Sequence, residues 1–95
     1  MPSIYLEGLT LDDTNRRKMA IHGVTGKEAM EAASDPEAKA FRNHSPEAAP
    51  WVLVGRTRQG RYVTLPLDET PEMGVWRPRT GYDSSNKELR RFKNE

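Results

Sequence analysis

Trp51-Val52-Leu53-Val54-Gly55-Arg56, Thr57-Arg58-Gln59-Gly60-Arg61 and Tyr62-Val63-Thr64-Leu65-Pro66-Leu67 read as two strands and the turn between them. Valine, tyrosine and tryptophan favour the pleated chain, and Gly60 supplies a turn residue that reaches positive φ at no steric cost. Along the first strand Val52 and Val54 alternate with Trp51, Leu53 and Gly55. Along the second, Val63, Leu65 and Leu67 alternate with Tyr62, Thr64 and Pro66. Both faces carry apolar side chains near the centre, so one face is expected to meet helices and the other to be partly covered. Pro66 marks a strand end or an edge.

Working outward, residues 68–72 read as a polar loop, followed by a third strand at Val75-Trp76. Pro78 is expected to mark a bulge, an edge or the end of that strand. Thr80-Gly81-Tyr82-Asp83 reads as a turn. Ser85-Asn86-Lys87-Glu88 has capping-box spacing and opens a helix over residues 86–93, anchored by Leu89 and Phe92.

Upstream, residues 3–7 look like a short strand, with a turn at Gly8. Asp12 or Asp13 caps a helix over residues 13–22, with Met19 and Ala20 apolar and Asn15, Arg16, Arg17 and Lys18 exposed. Gly23 stops it. Thr25-Gly26-Lys27-Glu28 is a second capping box, with Val24 placed to pack on Ala29 or Met30. Asp35-Pro36 ends that helix or leads into a turn over residues 37–41, and residues 42–50 form a loop. The expected fold class is α+β: a small antiparallel sheet packed against helices, in the order β-α-α-β-β-β-α. A single domain over residues 1–95 is expected, with a frayed tail at residues 93–95.

The 95 residues carry 15 lysines and arginines against 14 acidic residues, so net charge selects no partner. Its distribution is more informative. From Arg77 to Glu95 there are six basic and three acidic residues, while residues 28–47 lean acidic. Absence of cysteine excludes disulfides and thiolate zinc sites and fits a cytoplasmic location. No apolar run approaches the roughly 20 residues of a membrane helix, so no membrane partner is expected. Met1-Pro2-Ser3-Ile4 lacks the basic start and apolar core of a signal peptide. The two histidines, His22 and His44, have no metal-ligand spacing, and no metal or cofactor is expected.

The Asp-initiated helix leads into His22-Gly23-Val24-Thr25 and Glu28-Ala29. Val54-Gly55-Arg56 and Gly60-Arg61 follow in the hairpin. Arg77-Pro78-Arg79 precedes a capped basic helix with Glu88 and Arg90-Arg91-Phe92. Together these motifs resemble the BrnT family of small bacterial toxins. Arg77 and Pro78 stand where the family has serine and alanine. Lys18 and Ile21 replace the family's asparagine and lysine before His22, and Thr10-Leu11 stands where its tryptophan does. The resemblance implies a RelE-like fold and a metal-independent endoribonuclease, toxin of a type II toxin–antitoxin system. It also implies neutralisation by a ribbon-helix-helix antitoxin.

Such chemistry needs a base for the ribose 2′-hydroxyl, an acid for the leaving oxygen and cations for the phosphorane-like transition state. Arg77 and Arg79 alternate and are expected to share a face on which they clamp a phosphate, with His22 as acid or base. Arg56, Arg58, Arg61, Arg90 and Arg91 are the expected RNA contacts. Each has a plainer reading as well: His22 as a helix C-terminal cap, the hairpin arginines as exposed turn residues, and Arg90 and Arg91 as a solvated helix face. The alternative function is a non-catalytic toxin-like binding module or phage accessory protein that uses the same surface for a protein partner.

Overall fold

The computed structural model describes residues 4–94. Met1, Pro2 and Ser3, and with them the start of the expected strand and most of the leader comparison, lie outside the described residues, as does Glu95. The fold is α+β. Its elements are β1 (Gly8–Leu9), α1 (Asp13–Ile21), α2 (Gly26–Ser34), β2 (Lys39–Arg42), β3 (Trp51–Arg56), β4 (Tyr62–Glu69), β5 (Val75–Pro78), β6 (Tyr82–Asp83) and α3 (Asn86–Asn94). The expected order of elements is present, with two short strands added.

One six-stranded sheet runs β1-β5-β4-β3-β2, and β6 pairs with β4. All neighbours are antiparallel except β1 and β5, which makes the sheet mixed. The β3–β4 hairpin is its axis, with Leu53 opposite Leu65 and Arg56 opposite Tyr62. Gly60 turns it at φ +91°.

Alternation along the hairpin separates two cores. Leu53, Val63, Leu65 and Leu67 are buried under α1 and α2 with Met19, Val24, Ala29 and Ala32. Trp51 and Trp76 pack on the rim of this cluster. On the opposite face Val54, Phe41 and Phe92 make a smaller cluster with Tyr62, beneath α3. One face is thus closed by two helices and the other only in part by one, as expected.

The helices begin where the capping residues predict. Asp12 caps α1, its Oδ1 accepting from Asn15 N at 2.8 Å while Asn15 Oδ1 accepts from Asp12 N at 2.9 Å. Thr25 and Glu28 exchange the equivalent bonds at α2. Ser85 and Glu88 do so at α3, at 2.7 and 3.1 Å. Val24 and Ala29 are buried together, and Gly23 ends α1 at φ +72°.

Five local expectations are corrected. Residues 4–7 are not a strand; pairing with β5 begins at Gly8, read as a turn, because Glu7 N and Gly8 N both bond to Gly74 O. Residues 39–42 are an edge strand rather than a turn and loop, because Phe41 and Ala40 find buried places opposite Val52 and Leu53. Asp68 and Glu69 extend β4, since β5 continues the ladder alongside them. Tyr82 and Asp83 pair with β4 at Thr64 and Val63. The chain therefore follows the same flank of β4 twice, with its break just after Pro78. Asn15 is fully buried rather than exposed: its Nδ2 donates to Thr10 O at 2.9 Å and Pro78 O at 3.0 Å. A short polar side chain can be buried when each of its groups finds a partner.

Among the described residues no helix is long and apolar enough to cross a membrane.

Candidate nucleic-acid interface

The arginines named from sequence fall into three settings. Arg77 and Arg79 are each committed to a carboxylate. Arg77 Nε donates to Asp12 Oδ2 at 2.9 Å and Arg77 Nη2 to Asp12 Oδ1 at 3.3 Å. Arg79 donates through Nε and Nη2 to the two oxygens of Asp68, at 2.7 and 2.9 Å, and through Nη1 to Glu47 O. These forks use the planar geometry that phosphate would otherwise occupy. The guanidinium groups expected to share a phosphate are instead held in two ion pairs, Arg77 with Asp12 and Arg79 with Asp68.

Arg61 is a clamp within the protein. Its guanidinium meets Asp83 at 2.5 Å, Glu28 at 3.1 Å, and the carbonyls of Gly23 and His22 at 2.8 and 3.4 Å. It ties the hairpin to β6 and to the α1–α2 junction. The two acids answer it: the Arg61 side chain holds the Asp83 carboxyl below its ordinary value, and Glu28 is lowered first by the Thr25 N–H and then by Arg61. His22 is the exposed C-cap of α1, with its ring edge-on to Tyr82 at 6.0 Å. It stands with neither Arg77 nor Arg79 as a bonded partner.

Arg56, Arg58, Arg90 and Arg91 are exposed. Arg56 and Arg58 line a hollow of about 460 Å³ against α2 with Lys27. Its charge is mixed, because Asp35 and Glu31 line it too and accept from the backbone N–H groups of Arg56 and Arg58. The Arg56 guanidinium also lies 5.8 Å from the Tyr62 ring. Arg90 has no ion pair among the described residues.

Arg91 belongs to a different arrangement. It stands 4.3 Å over the Phe41 ring at one wall of a groove of about 250 Å³ between α3 and the β2–β3 edge. Phe41, Val52 and Val54 form the floor, and Lys87, Glu88, Arg91 and Arg42 stand around it. Lys87 and Arg91 are four apart and share one side of α3. Arg42 lies over Trp51 at 5.5 Å. Neither Lys87 nor Arg42 has an ion pair among the described residues. Arg42 and Asn43 also line an adjoining hollow of about 390 Å³ that contains His44 and Arg79.

Glu88 is the one carboxylate lining this groove. It is held in place from three sides. Ser85 N and Thr64 Oγ1 donate to Oε1 at 2.7 and 3.1 Å, and Tyr82 OH donates to Oε2 at 3.1 Å. Burial, with the Glu88 charge adding to it, pushes the Tyr82 hydroxyl up to about 12, so Tyr82 stays a donor at neutral pH. Thr64 Oγ1 and Ser84 Oγ are 2.7 Å apart and complete the polar network.

Sequence reading missed Lys87, Arg42 and Glu88 as members of a site. Lys87 and Arg91 were legible as an i, i+4 pair on a capped helix. Arg42 was not, because its strand was read as a loop. Among the described residues no group of three or more histidine, aspartate or glutamate side chains is placed to hold a metal ion.

No protein-family model matches the chain, and no curated protein matches it in sequence.

Proposed function

We propose that this protein binds single-stranded RNA in the groove beside α3 and acts as a metal-independent ribonuclease toxin restrained by a ribbon-helix-helix antitoxin in the cytoplasm. The observation that carries the reading is the composition of that groove. Three cations, Arg42, Lys87 and Arg91, surround an apolar floor, with one fixed carboxylate among them. Single strands are held by cations along the backbone and by flat surfaces on which bases stack. The Arg91 guanidinium lying over Phe41 offers both.

The reaction class asks for the same set. A base removes the 2′-hydroxyl proton, the oxygen attacks the adjacent phosphorus, and the P–O bond to the 5′ oxygen breaks. The products are a 2′,3′-cyclic phosphate and a 5′-hydroxyl that takes up a proton. Glu88 is the groove's candidate base, and Lys87 and Arg91 stand beside it to offset charge on phosphate oxygens. The motif resemblance supports the toxin class. Arg77 and Arg79 take the role of fastening β5 to the start of α1 and the chain after β5 to β4, through Asp12 and Asp68.

The second reading, a non-catalytic module that binds a protein partner, is favoured by those same two ion pairs, which occupy the arginines expected to clamp phosphate. Expression in an inducible bacterial host separates the two. Growth arrest with RNA cleavage, lost in Lys87→Ala and Arg91→Ala, supports the toxin. No arrest, and no cleavage by folded protein with ribosomes also supplied, overturns the toxin and supports the module.

A further inference from the structure

The opposite edge of the sheet has the reverse character. Ile4, Tyr5, Met73, Val75 and Trp76 line a recess of about 230 Å³. Tyr5 is 59% exposed and Met73 83% exposed, which leaves two large apolar side chains in water next to each other's elements. The recess is firmly built. Trp76 Nε1 donates to Tyr5 O at 2.8 Å, Glu7 N donates to Gly74 O at 2.7 Å, and Gly74 takes φ +82° directly under the Tyr5 ring. A Cβ on residue 74 would lie 2.9 Å from that ring, so the close approach of Tyr5 depends on glycine.

Glu69 and Glu72 line the recess, and exposed Glu7 lies beside it, its Oε1 accepting from Tyr5 OH. None of the three has an ion pair among the described residues. Nearby Arg77 and Arg79 do not neutralise them, since they are held by Asp12 and Asp68. The rim is therefore negative around an apolar and aromatic centre. Nucleic acid is repelled there.

We infer that this recess is a protein-docking site whose occupant is a segment carrying apolar side chains flanked by arginine or lysine. The apolar side chain fills the hollow against Met73 and Val75. The cation lies on the Tyr5 and Trp76 rings and pairs with Glu69 or Glu72. Because the groove beside α3 lies at the other edge of the sheet, this partner and an RNA occupy separate surfaces. The inference does not rest on the ribonuclease reading.

The test uses the whole chain, isotopically labelled, and a short peptide alternating arginine and leucine as probe. A peptide with glutamate in place of arginine is the control. Amide shifts are expected over residues 4–8 and 69–76 with the basic peptide and not with the acidic one. The double variant Glu69→Gln/Glu72→Gln, at exposed positions away from either core, is expected to bind about fivefold more weakly. Met73→Ser tests the apolar half and is expected to weaken binding as well. Its own spectrum reports that the fold is intact. Shifts centred elsewhere, an equal response to both peptides, unchanged affinity in the glutamate variant, or no shift at all overturns the inference. RNA binding measured on the same Glu69→Gln/Glu72→Gln protein stays as in the unmodified chain, so failure here and failure of the groove are told apart.

Discussion

Arg79 and Asp68 face each other where β5 has just ended and β4 continues, joined by two parallel hydrogen bonds of 2.7 and 2.9 Å. Arg79 N also donates to Pro66 O at 2.9 Å, so backbone and side chain of one residue both fasten the chain to β4 after Pro78 interrupts the strand. Replacing Arg79 by alanine is expected to lower the melting temperature, and Asp68→Asn to lower it similarly. The double variant is expected to lose less than the sum, since each single change already breaks the pair. Thermal melts of the four proteins measure this. Additive losses would show that the pair does not couple.

Acid is expected to loosen the fold at the same joints. Asp12 is held below its ordinary value of 3.8, first by the Asn15 N–H and then by Arg77. Glu28, ordinarily 4.5, and Asp83, ordinarily 3.8, are lowered too. A depressed folded value means that the unfolded chain binds protons first as pH falls. These contributions are thus complete above pH 4.5 and are lost progressively below it, through the lowered folded values. Urea midpoints between neutral pH and strong acid should decline in that window. The decline should be shallower in Arg61→Ala, which removes the main cause of the Asp83 shift and part of the Glu28 shift.

Tyr82 titrates in the other direction. Its hydroxyl is raised from 10.0 to about 12, so the folded chain keeps a proton that the unfolded chain releases. The stability this represents is complete below pH 10 and is lost as pH rises toward 12. The tyrosinate absorbance of the native protein minus that of Tyr82→Phe should show one late-titrating group. A difference curve centred near 10 would mean that the burial of Tyr82 and its Glu88 contact are not held in solution.

Gly55 has no room for a side chain. A Cβ there would lie 2.0 Å from the backbone oxygen of Ala32, and backbone in a packed helix cannot move aside cheaply. Gly55→Ala should cost about 3 kcal/mol, seen as a lower urea midpoint or as loss of soluble protein. Gly8→Ala, where nothing lies within 4 Å, is the matched control and should change little.

Salt dependence probes the groove. If Lys87 and Arg91 contact phosphates of a single strand, each alanine substitution should reduce the slope of log affinity against log salt by about 0.7. Arg90→Ala, on the same helix but outside the groove, should leave the slope unchanged. Fluorescence anisotropy with a labelled single-stranded RNA at several salt concentrations decides it. Equal effects from Arg90 and Arg91 would point to diffuse charge attraction.

Much of the fold was already present in local sequence. Alternation in Trp51 to Leu67 specifies a two-faced hairpin, and an aspartate cap and two capping boxes place the helix starts, because these features depend on residues a few positions apart. What tertiary structure decided were the choices between partners distant in the chain. The edge strand at Lys39–Arg42 forms because β3 and buried space for Phe41 await it. Asn15 goes inside because Pro78 O lies 63 residues on. Most of all, sequence could list the arginines but not their counter-charges. Asp12 and Asp68 claim Arg77 and Arg79, Arg61 is bound on several sides, and Arg42, Lys87 and Arg91 line one groove. Charge–charge distances are set by folding, so composition alone cannot say which carboxylate each cation meets.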